Sequence, residues 1–579
     1  MKNDHVARIL FEIADLLALD GVAFKPQAYR RAAQTIESLG GPIEDLVAAG
    51  THRDLPGVGD AIAKKIAEIV ETGRLGYHDE LKAKLPIDLH ALTQVDGLGP
   101  KTAKLLYETL GVRDISDLER AAREGRIRDI KGLGAKTEEK ILRGLSETRQ
   151  VEGRILLGEA LPLAEALIER LSASDLFARI EYAGSLRRAR ETIGDLDLLA
   201  VATRAEGAAQ AAEAFVSQPD VEEVLAHGEA KASVRLSGGL QVDLRIVPPE
   251  SLGAAMQYFT GSQAHNIALR KRAVAEGWKL NEYGLFDGDR VLAGEEEAAI
   301  YARLGLQFIP PELREDQGEL QAAESGLLSR LVEWSDIRGD LHVHTDASDG
   351  RAGLEEMAAA AQMRSLSYIA ITDHAKFAEM IGGLTPDALK RQIEAIEELN
   401  ERLGGFHVLT GIEANIQPDG SLDMPDELLS RLDVVIAAIH SHLRLGRDEM
   451  TARLVRAVEH EHVDILAHPT GRKIGERPPV DADWDAVFEV AAGHETALEI
   501  NANPIRLDLN ADLVRRAIAV GAKLAIGTDA HTPEHFDFMR LGVLTARRGW
   551  ATKSDVLNTE VARDRYGRHR TGPARPPTE

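Results

Sequence analysis

The sequence predicts a multidomain α/β protein: helical at its N-terminus, with a mixed sheet in its middle and a barrel-like parallel sheet at its end. Three observations carry this expectation. Amphipathic helices punctuated by Gly-x-Gly turns fill the first 150 residues. Mixed helix and strand follow, centred on GSLRRARETIGDLDLL at 184–199. From residue 337, seven apolar runs alternate with helical patterns, and β-then-α alternation implies parallel strands. At 579 residues the chain is too long for one core, and length alone suggests roughly three to five domains.

Composition narrows the class. With 44% hydrophobic and 28% charged residues the chain reads as globular. No apolar run is long enough to span a bilayer, and the N-terminus lacks a signal-peptide pattern, so the expected compartment is the cytoplasm, with no membrane partner. The absence of cysteine excludes disulfides and thiolate-bound zinc. A net charge of −25 argues against a nucleic-acid partner for the chain as a whole. The first 150 residues, however, carry nearly balanced charge, and the acidic excess lies beyond them. Any affinity for nucleic acid is therefore expected to be local to this segment and salt-sensitive.

Residues 5–19 and 61–71 show clear amphipathic spacing. Three stretches repeat one theme: LPGVGDAIAKKI at 55–66, VDGLGPKTAKLL at 95–106 and IKGLGAKTEEKI at 130–141. Each sets an apolar residue before Gly-x-Gly and then starts a helix bearing lysine, which is the pattern of a helix-hairpin-helix. Gly57 and Gly59, Gly97 and Gly99, and Gly132 and Gly134 permit the tight turn. The backbone N–H groups at the following helix start face a phosphate. Such contacts grip a nucleic-acid backbone and carry no sequence information.

A helix is expected over 158–171, a strand over 180–184 ending in a Gly-Ser turn, and strands in IGDLDLLAV and QVDLRIV. Residues two apart on a strand share a face, so Asp195 and Asp197 present two carboxylates side by side. These repel unless cations lie between them, and Mg²⁺ suits carboxylates combined with substrate phosphates. Asp243 stands alone in an apolar strand, where an unpartnered carboxylate is costly. If its strand lies beside the Asp195/Asp197 strand, the three can share metals for two-metal phosphoryl transfer. Residues 251–315 read as helices followed by a short hairpin. Within them YFTGSQAHNIALRKRA turns at Gly261-Ser262 and puts Asn266 and Arg270 on one helix face. Residues 316–336 read as a linker with a short helix.

The seven runs after residue 337 are DLHVH, YIAITDH, FHVLTGIE, DVVIAAIH, DILAHP, ALEINAN and KLAIGTDAH. Strand C-terminal ends form the active face of barrels. The candidate ligands are His342, His344, Asp349, His374, Glu413, His440, His468, Asp529 and His531. Such a cluster without metal would bury mutually repelling groups. Imidazole with carboxylate suits Zn²⁺, Mn²⁺ or Fe²⁺. Nine ligands suffice for two or three ions, with Glu413 a bridge. Such a site hydrolyses phosphoesters. From about residue 560 the chain is rich in Arg and Pro and reads as a disordered tail.

The motifs of residues 1–315 resemble the family X DNA polymerases: LPGVG with AKKI, GLGP, GSLRR, GDLDLL, VDLR, YFTGS and NEYGL stand in family order at close to family spacing. Residues 337–579 resemble the polymerase-and-histidinol-phosphatase (PHP) domain through HVHTDASDG, ITDH, GIEAN, the His440 run, AHPTGR and GTDAH. The resemblance implies a lyase-like helix-hairpin-helix domain over 1–80, a second such subdomain over 81–150, and a nucleotidyltransferase palm over 151–250. A nascent-base-pair subdomain over 251–315, the linker and a distorted (β/α)7-type barrel complete it. It implies Asp195, Asp197 and Asp243 as catalytic metal ligands for Mg²⁺ or Mn²⁺, with Gly184, Ser185 and Arg188 on the triphosphate. Tyr258 and Phe259 would lie against the sugar, Gly261 would admit close backbone approach, and Asn266 and Arg270 would reach the base pair. Lys65 matches the Schiff-base nucleophile of an abasic-site lyase, with Lys25 and Tyr29 also matching, but Ala61 stands where a lysine is expected. RILLGEALP before the palm lacks a basic residue that some members place on the triphosphate. The barrel ligands fill the family pattern, whose members bind Mn²⁺ or Zn²⁺, and imply 3′→5′ exonuclease action. The expected protein is thus a monomeric gap-filling repair polymerase using dNTPs and gapped or primer-template DNA. Two other readings stand beside it. Intact Asp195, Asp197 and Asp243 count against a small-molecule phosphatase with a vestigial DNA-binding module. The filled ligand sets count against a non-catalytic DNA-end scaffold.

Overall fold

The computed structural model describes residues 3–560 apart from 21, 23–24, 38–42, 56, 90–91, 93–94, 96–97, 131–132, 135–136, 139–140, 143–152 and 377–382. Gly97, Gly132 and the tail from 561 lie outside the described residues.

The N-terminal segment is helical, as its periodicity predicts: Asn3–Leu19 and Asp60–Thr72 cover both amphipathic stretches. Leu10, Ile13, Ile36, Ile62, Ile66, Leu92, Leu106, Leu118 and Ile141 belong to one continuous apolar cluster. The three Gly-x-Gly copies share one backbone hydrogen bond. The N–H of the residue between the glycines donates to a carbonyl three residues back: Val58 to Leu55 at 3.0 Å, Leu98 to Val95 at 3.0 Å, and Leu133 to Ile130 at 2.9 Å. Gly59 and Gly99 then cap the helices Asp60–Thr72 and Pro100–Leu110, and the Gly134 carbonyl accepts from Thr137 and Glu138.

The middle segment is built on a five-stranded sheet in the order Phe177–Tyr182, Asp195–Ala202, Gln241–Ile246, Lys231–Leu236, Val221–His227. Only its Asp195–Ala202/Gln241–Ile246 pair is parallel. The helix Leu157–Ser172 covers it with Leu161, Ala164, Leu167 and Leu171. Beyond it the expected hairpin is a three-stranded antiparallel sheet, Lys279–Asn281, Gly284–Asp287 and Arg290–Ala293. The first turn is built on Asn281, whose Oδ1 accepts from the N–H groups of Tyr283 and Gly284. Gly288 at φ 58° shapes the second. Residues 316–336 carry the expected helix, Glu319–Glu324. Leu320, Ala323 and Leu331 pack into the same core as Leu269, Leu285 and Tyr301, so this stretch is folded onto the preceding subdomain.

The C-terminal segment is a seven-stranded parallel sheet in chain order: Gly339–Val343, Tyr368–Ile371, His407–Asn415, Val434–Ala438, Ile465–Leu466, Ala497–Asn501 and Leu524–Gly527. Val343, the last residue of the first strand, bridges Ala530 just past the last strand, so the sheet nearly closes into a barrel. Leu341, Tyr368, Leu409, Ile436, Ile465 and Ala525 fill its interior. Helices such as Leu354–Met363, Pro386–Arg402 and Arg447–Val458 cover its outside with buried apolar residues.

Candidate active sites

The strand Asp195–Ala202 and the strand Gln241–Ile246 run parallel with Asp197 opposite Asp243 and Asp195 opposite Gln241. The chain thus brings the three predicted carboxylates to one sheet edge. Burial, then Asp195 and Asp243, push Asp197 up to about 6. That is the signature of like charges awaiting a cation. Gly184, at φ 60°, opens the turn that faces them; a Cβ there would sit 2.3 Å from Asp197 Oδ2, so only glycine fits.

A cleft of about 720 Å³ lies beside this edge. Gly184, Ser185, Arg188, Tyr258, Phe259, Gly261, Asn266 and Arg270 all line it, as do Asp195 and Asp197. The buried Ser185 Oγ has no hydrogen-bond partner. Arg188 donates to the Thr260 carbonyl and, at 3.2 Å, to Glu315. Tyr258 and Phe259 meet edge to face at 5.0 Å, and the Arg245 guanidinium lies 4.4 Å over Phe259. Asn266 is buried, accepting from Gln257 at 2.7 Å and donating to the Tyr258 carbonyl at 2.7 Å, whereas Arg270 is exposed on the same helix.

The stretch RILLGEALP, which lacks the basic residue expected from the resemblance, lines the cleft with its first residue, Arg154. It is held at the rim by hydrogen bonds to Thr192 Oγ1 and O. Burial, then Arg190, lower its pKa, with Arg188 adding to this against Asp195. Four guanidiniums, those of Arg154, Arg188, Arg190 and Arg270, lining one cleft with an unpartnered hydroxyl suit a polyanion. Sequence reading missed Arg154, Arg190 and Glu315; the Arg before the two-residue strand Ile155–Leu156 was the available signal.

In the N-terminal segment Lys65 is half-buried with its Nζ 4.9 Å from the Tyr77 ring centre, and Tyr29 stacks on the same ring at 6.4 Å. Burial, then Tyr77, push the Tyr29 phenol up to about 12. Lys25 and Ala61 are exposed.

At the barrel's strand ends the nine candidate ligands converge. Four overlapping sets have ligand atoms within 4.8 Å of one another: His344, Asp349, His374 and His531; His342, Glu413 and His468; His342, His344 and Asp529; His374, Glu413 and His440. Together they contain all nine. Glu413 is central, 2.6 Å from His374 Nδ1, 3.0 Å from His468 Nε2 and 3.2 Å from His440 Nε2. Burial opposes its charge, but His374, His440 and His342 hold its pKa well below the usual range. Burial likewise opposes protonation of His342 and His374. Glu499, Asp529 and Glu413 hold the first, and Glu413 and Asp349 the second, well above the ordinary range. His468 goes the other way, to about 3, through burial and Arg506. His342 Nε2 and both ring nitrogens of His344 are buried without a hydrogen-bond partner, and Glu413 Oε2 is buried with His374 Nδ1 at 2.6 Å. Orphaned imidazole nitrogens beside a buried carboxylate fit a multinuclear metal site.

Outer residues orient these ligands, as metal-binding histidines require. Glu499 Oε1 accepts from His342 Nδ1 at 2.6 Å, and its other oxygen accepts from the His468 N–H. Asn415 Oδ1 accepts from His440 Nδ1 at 2.7 Å, and Asp373 gathers Thr345, Ser348 and Gln392. Sequence reading passed over Glu499, Asn415 and Asp373, although each stands in a run quoted above.

Four family models match: a helix-hairpin-helix domain over residues 1–75, a SAM-like helix-hairpin-helix tandem over 89–147, the DNA polymerase beta thumb over 255–315, and the PHP domain over 340–502. The DNA polymerase/3′-5′ exonuclease PolX of Bacillus subtilis (strain 168) is 38% identical over 97% of this chain and 98% of its own length. The chain belongs to the PolX family of DNA polymerase/3′-5′ exonucleases. The two halves of this PolX-family chain also have separate relatives. DNA polymerase lambda of Rattus norvegicus is 25% identical over 54% of the chain and 56% of its own length. A probable phosphatase of Thermoanaerobacter sp. (strain X514) is 28% identical over 39% of the chain and 91% of its own length.

Proposed function

We propose that the chain fills short gaps in damaged DNA at the palm cleft and trims 3′ ends at the barrel centre. The parallel register of Asp197 with Asp243, beside a cleft of guanidiniums, carries this reading. Asp195, Asp197 and Asp243 would hold Mg²⁺ or Mn²⁺, which when bound neutralises triphosphate charge and lowers the pKa of a 3′ hydroxyl. Ser185, Arg188 and Arg154 bind and orient the triphosphate. Tyr258 and Phe259 lie against the sugar, Gly261 leaves room for it, and Asn266 and Arg270 read the shape of the base pair. The nine barrel residues would hold two or three Mn²⁺, Zn²⁺ or Fe²⁺ ions. The Gly-x-Gly turns hold the DNA backbone without reading sequence. Lys65, against Tyr77 and near Tyr29, is the candidate lyase nucleophile. Among the described residues, no helix is long and apolar enough to cross a membrane.

The test is one experiment on a 5′-phosphorylated one-nucleotide gap with Mg²⁺ and Mn²⁺. Asp195→Ala with Asp197→Ala loses extension and keeps 3′ trimming; His344→Ala with His468→Ala does the reverse. Loss of both activities in either variant sinks the two-site reading. On a gap carrying a 5′ sugar phosphate, borohydride cross-links wild type but not Lys65→Ala; equal cross-linking removes Lys65.

A further inference from the structure

The barrel segment reaches the palm cleft with a side chain of its own. Arg548 ends the helix Met539–Arg548 and is largely buried. Its Nη1 donates to the main-chain carbonyl of Arg188 and lies 3.3 Å from Glu315 Oε1. The same oxygen is 3.2 Å from Arg188 Nε and 3.7 Å from Arg190 Nη1. One carboxylate oxygen therefore faces three guanidiniums, two from the palm and one from the barrel segment.

The seam that carries Arg548 is packed. Leu507 and Leu541 are buried among the apolar residues of the palm. Arg472 grips both oxygens of Glu191, at 2.7 and 3.0 Å, and Arg540 pairs with Glu165 at 2.7 Å.

We propose that Arg548 is a positioning residue for nucleotide binding: by sharing Glu315, it lets Arg188 turn to an incoming triphosphate. This rests on the reading of the cleft as a triphosphate site. Glu315 competes with a triphosphate for Arg188. Burial favours its neutral form, but Arg188, Arg548 and Arg190 keep its pKa low, so the competitor is an anion. With Arg548 in place, Glu315 keeps a buried cationic partner when Arg188 leaves it. Without Arg548, releasing Arg188 leaves that carboxylate with only the more distant Arg190. A half-buried charge that loses its partner is strongly disfavoured. Arg548 also fixes the Arg188 main chain through the carbonyl it donates to. The sequence separation hides this arrangement, since Arg548 and Arg188 stand 360 residues apart.

The experiment uses the full chain on a one-nucleotide gap with Mg²⁺, titrating dNTP. Arg548→Ala is expected to raise KM for dNTP about tenfold while kcat changes by less than about twofold. Adding Glu315→Gln to Arg548→Ala removes the competitor and restores KM most of the way. A residue that merely fills space would show no such rescue, so equal KM in the single and double variants overturns the proposal. So does an unchanged KM in Arg548→Ala. Trimming of a single-stranded oligonucleotide in Mn²⁺ reports the fold of the barrel. If Arg548→Ala loses trimming as well, Arg548→Gln decides, since it keeps most of the bulk and a donor but not the charge. A raised KM with trimming intact supports the proposal, and a wild-type KM overturns it. Wild-type extension that Asp195→Ala with Asp197→Ala abolishes must be seen first. Its absence overturns the cleft reading itself, whereas a wild-type KM in the Arg548 variants overturns only the role of Arg548.

Discussion

Asp197 and Glu413 are both carboxylates on parallel strands, both set where burial opposes their charge, and their ionisable neighbours move them in opposite directions. Asp197 has carboxylates for neighbours and is pushed up to about 6. Glu413 is more deeply buried, has imidazoles for neighbours and is held well below its usual range. On the function proposed above, the carboxylate edge of the palm would gain its cation only together with a triphosphate, which suits Mg²⁺, an ion bound by few carboxylates plus substrate phosphates. The barrel centre is a prebuilt cage whose ring nitrogens are already aimed by Glu499 and Asn415. The difference lies in who completes the site: substrate in the palm, the protein itself in the barrel.

The largest effect expected from a single outer residue is therefore in the barrel. Glu499→Gln leaves all nine ligands in place but disturbs the acceptor that orients His342 and the His468 N–H. A loss of about 10- to 100-fold in metal affinity and trimming is expected, with gap extension unchanged. Metal content after dialysis and the two rates check it. Wild-type metal binding would show that the cage is not preorganised by its outer residues, and the contrast with the palm would fail.

The palm should respond to substrate-side changes instead. Arg154→Ala removes one of the four guanidiniums that line the cleft and is expected to raise KM for dNTP about tenfold, leaving trimming as it was. Steady-state titration on the gapped substrate measures this. A fall in kcat at constant KM would mean that Arg154 serves the reacting atoms rather than triphosphate binding.

The two regions also differ in how far the sequence revealed them. All nine barrel ligands could be read because each ends or closely follows an apolar run, and parallel strands bring such ends together. The register of Asp197 with Asp243 was a conditional expectation, and the strand pairing meets the condition. Glu499 was not legible, because inside ALEINAN it looks like any polar residue in a strand. Arg154 was not legible because its reach depends on the absence of a side chain at Gly194, where a Cβ would sit 2.7 Å from Arg154 Nη1. Glu315 and Arg548 meet across 233 residues of sequence, and no local pattern signals such a pair. The hairpin expected after the helices of residues 251–315 gained a third strand because two turns, not one, follow each other there.

The smallest effect separates burial from metal binding within the barrel itself. Asp508 is fully buried, as Glu413 is, yet it lies outside the ligand sets. Its Oδ2 accepts from the Thr470 N–H at 3.0 Å, and its Oδ1 has no partner. Burial pushes it up to about 6, with Glu499 adding to this, against Arg472, Thr470 and Arg506. A carboxyl whose folded pKa is raised binds its proton more tightly when folded. Its contribution to stability is complete below the unfolded value of 3.8 and is lost as pH rises through about 6. Asn at this position cannot ionise, so the melting temperature of Asp508→Asn should gain on wild type between pH 4.5 and 7. The expected gain is on the order of a few degrees. A constant difference across that range would mean that Arg472 holds Asp508 ionised throughout. A guanidinium would then hold a deeply buried carboxylate ionised without any imidazole, and the distinction drawn from Glu413 would rest on its ligand geometry alone.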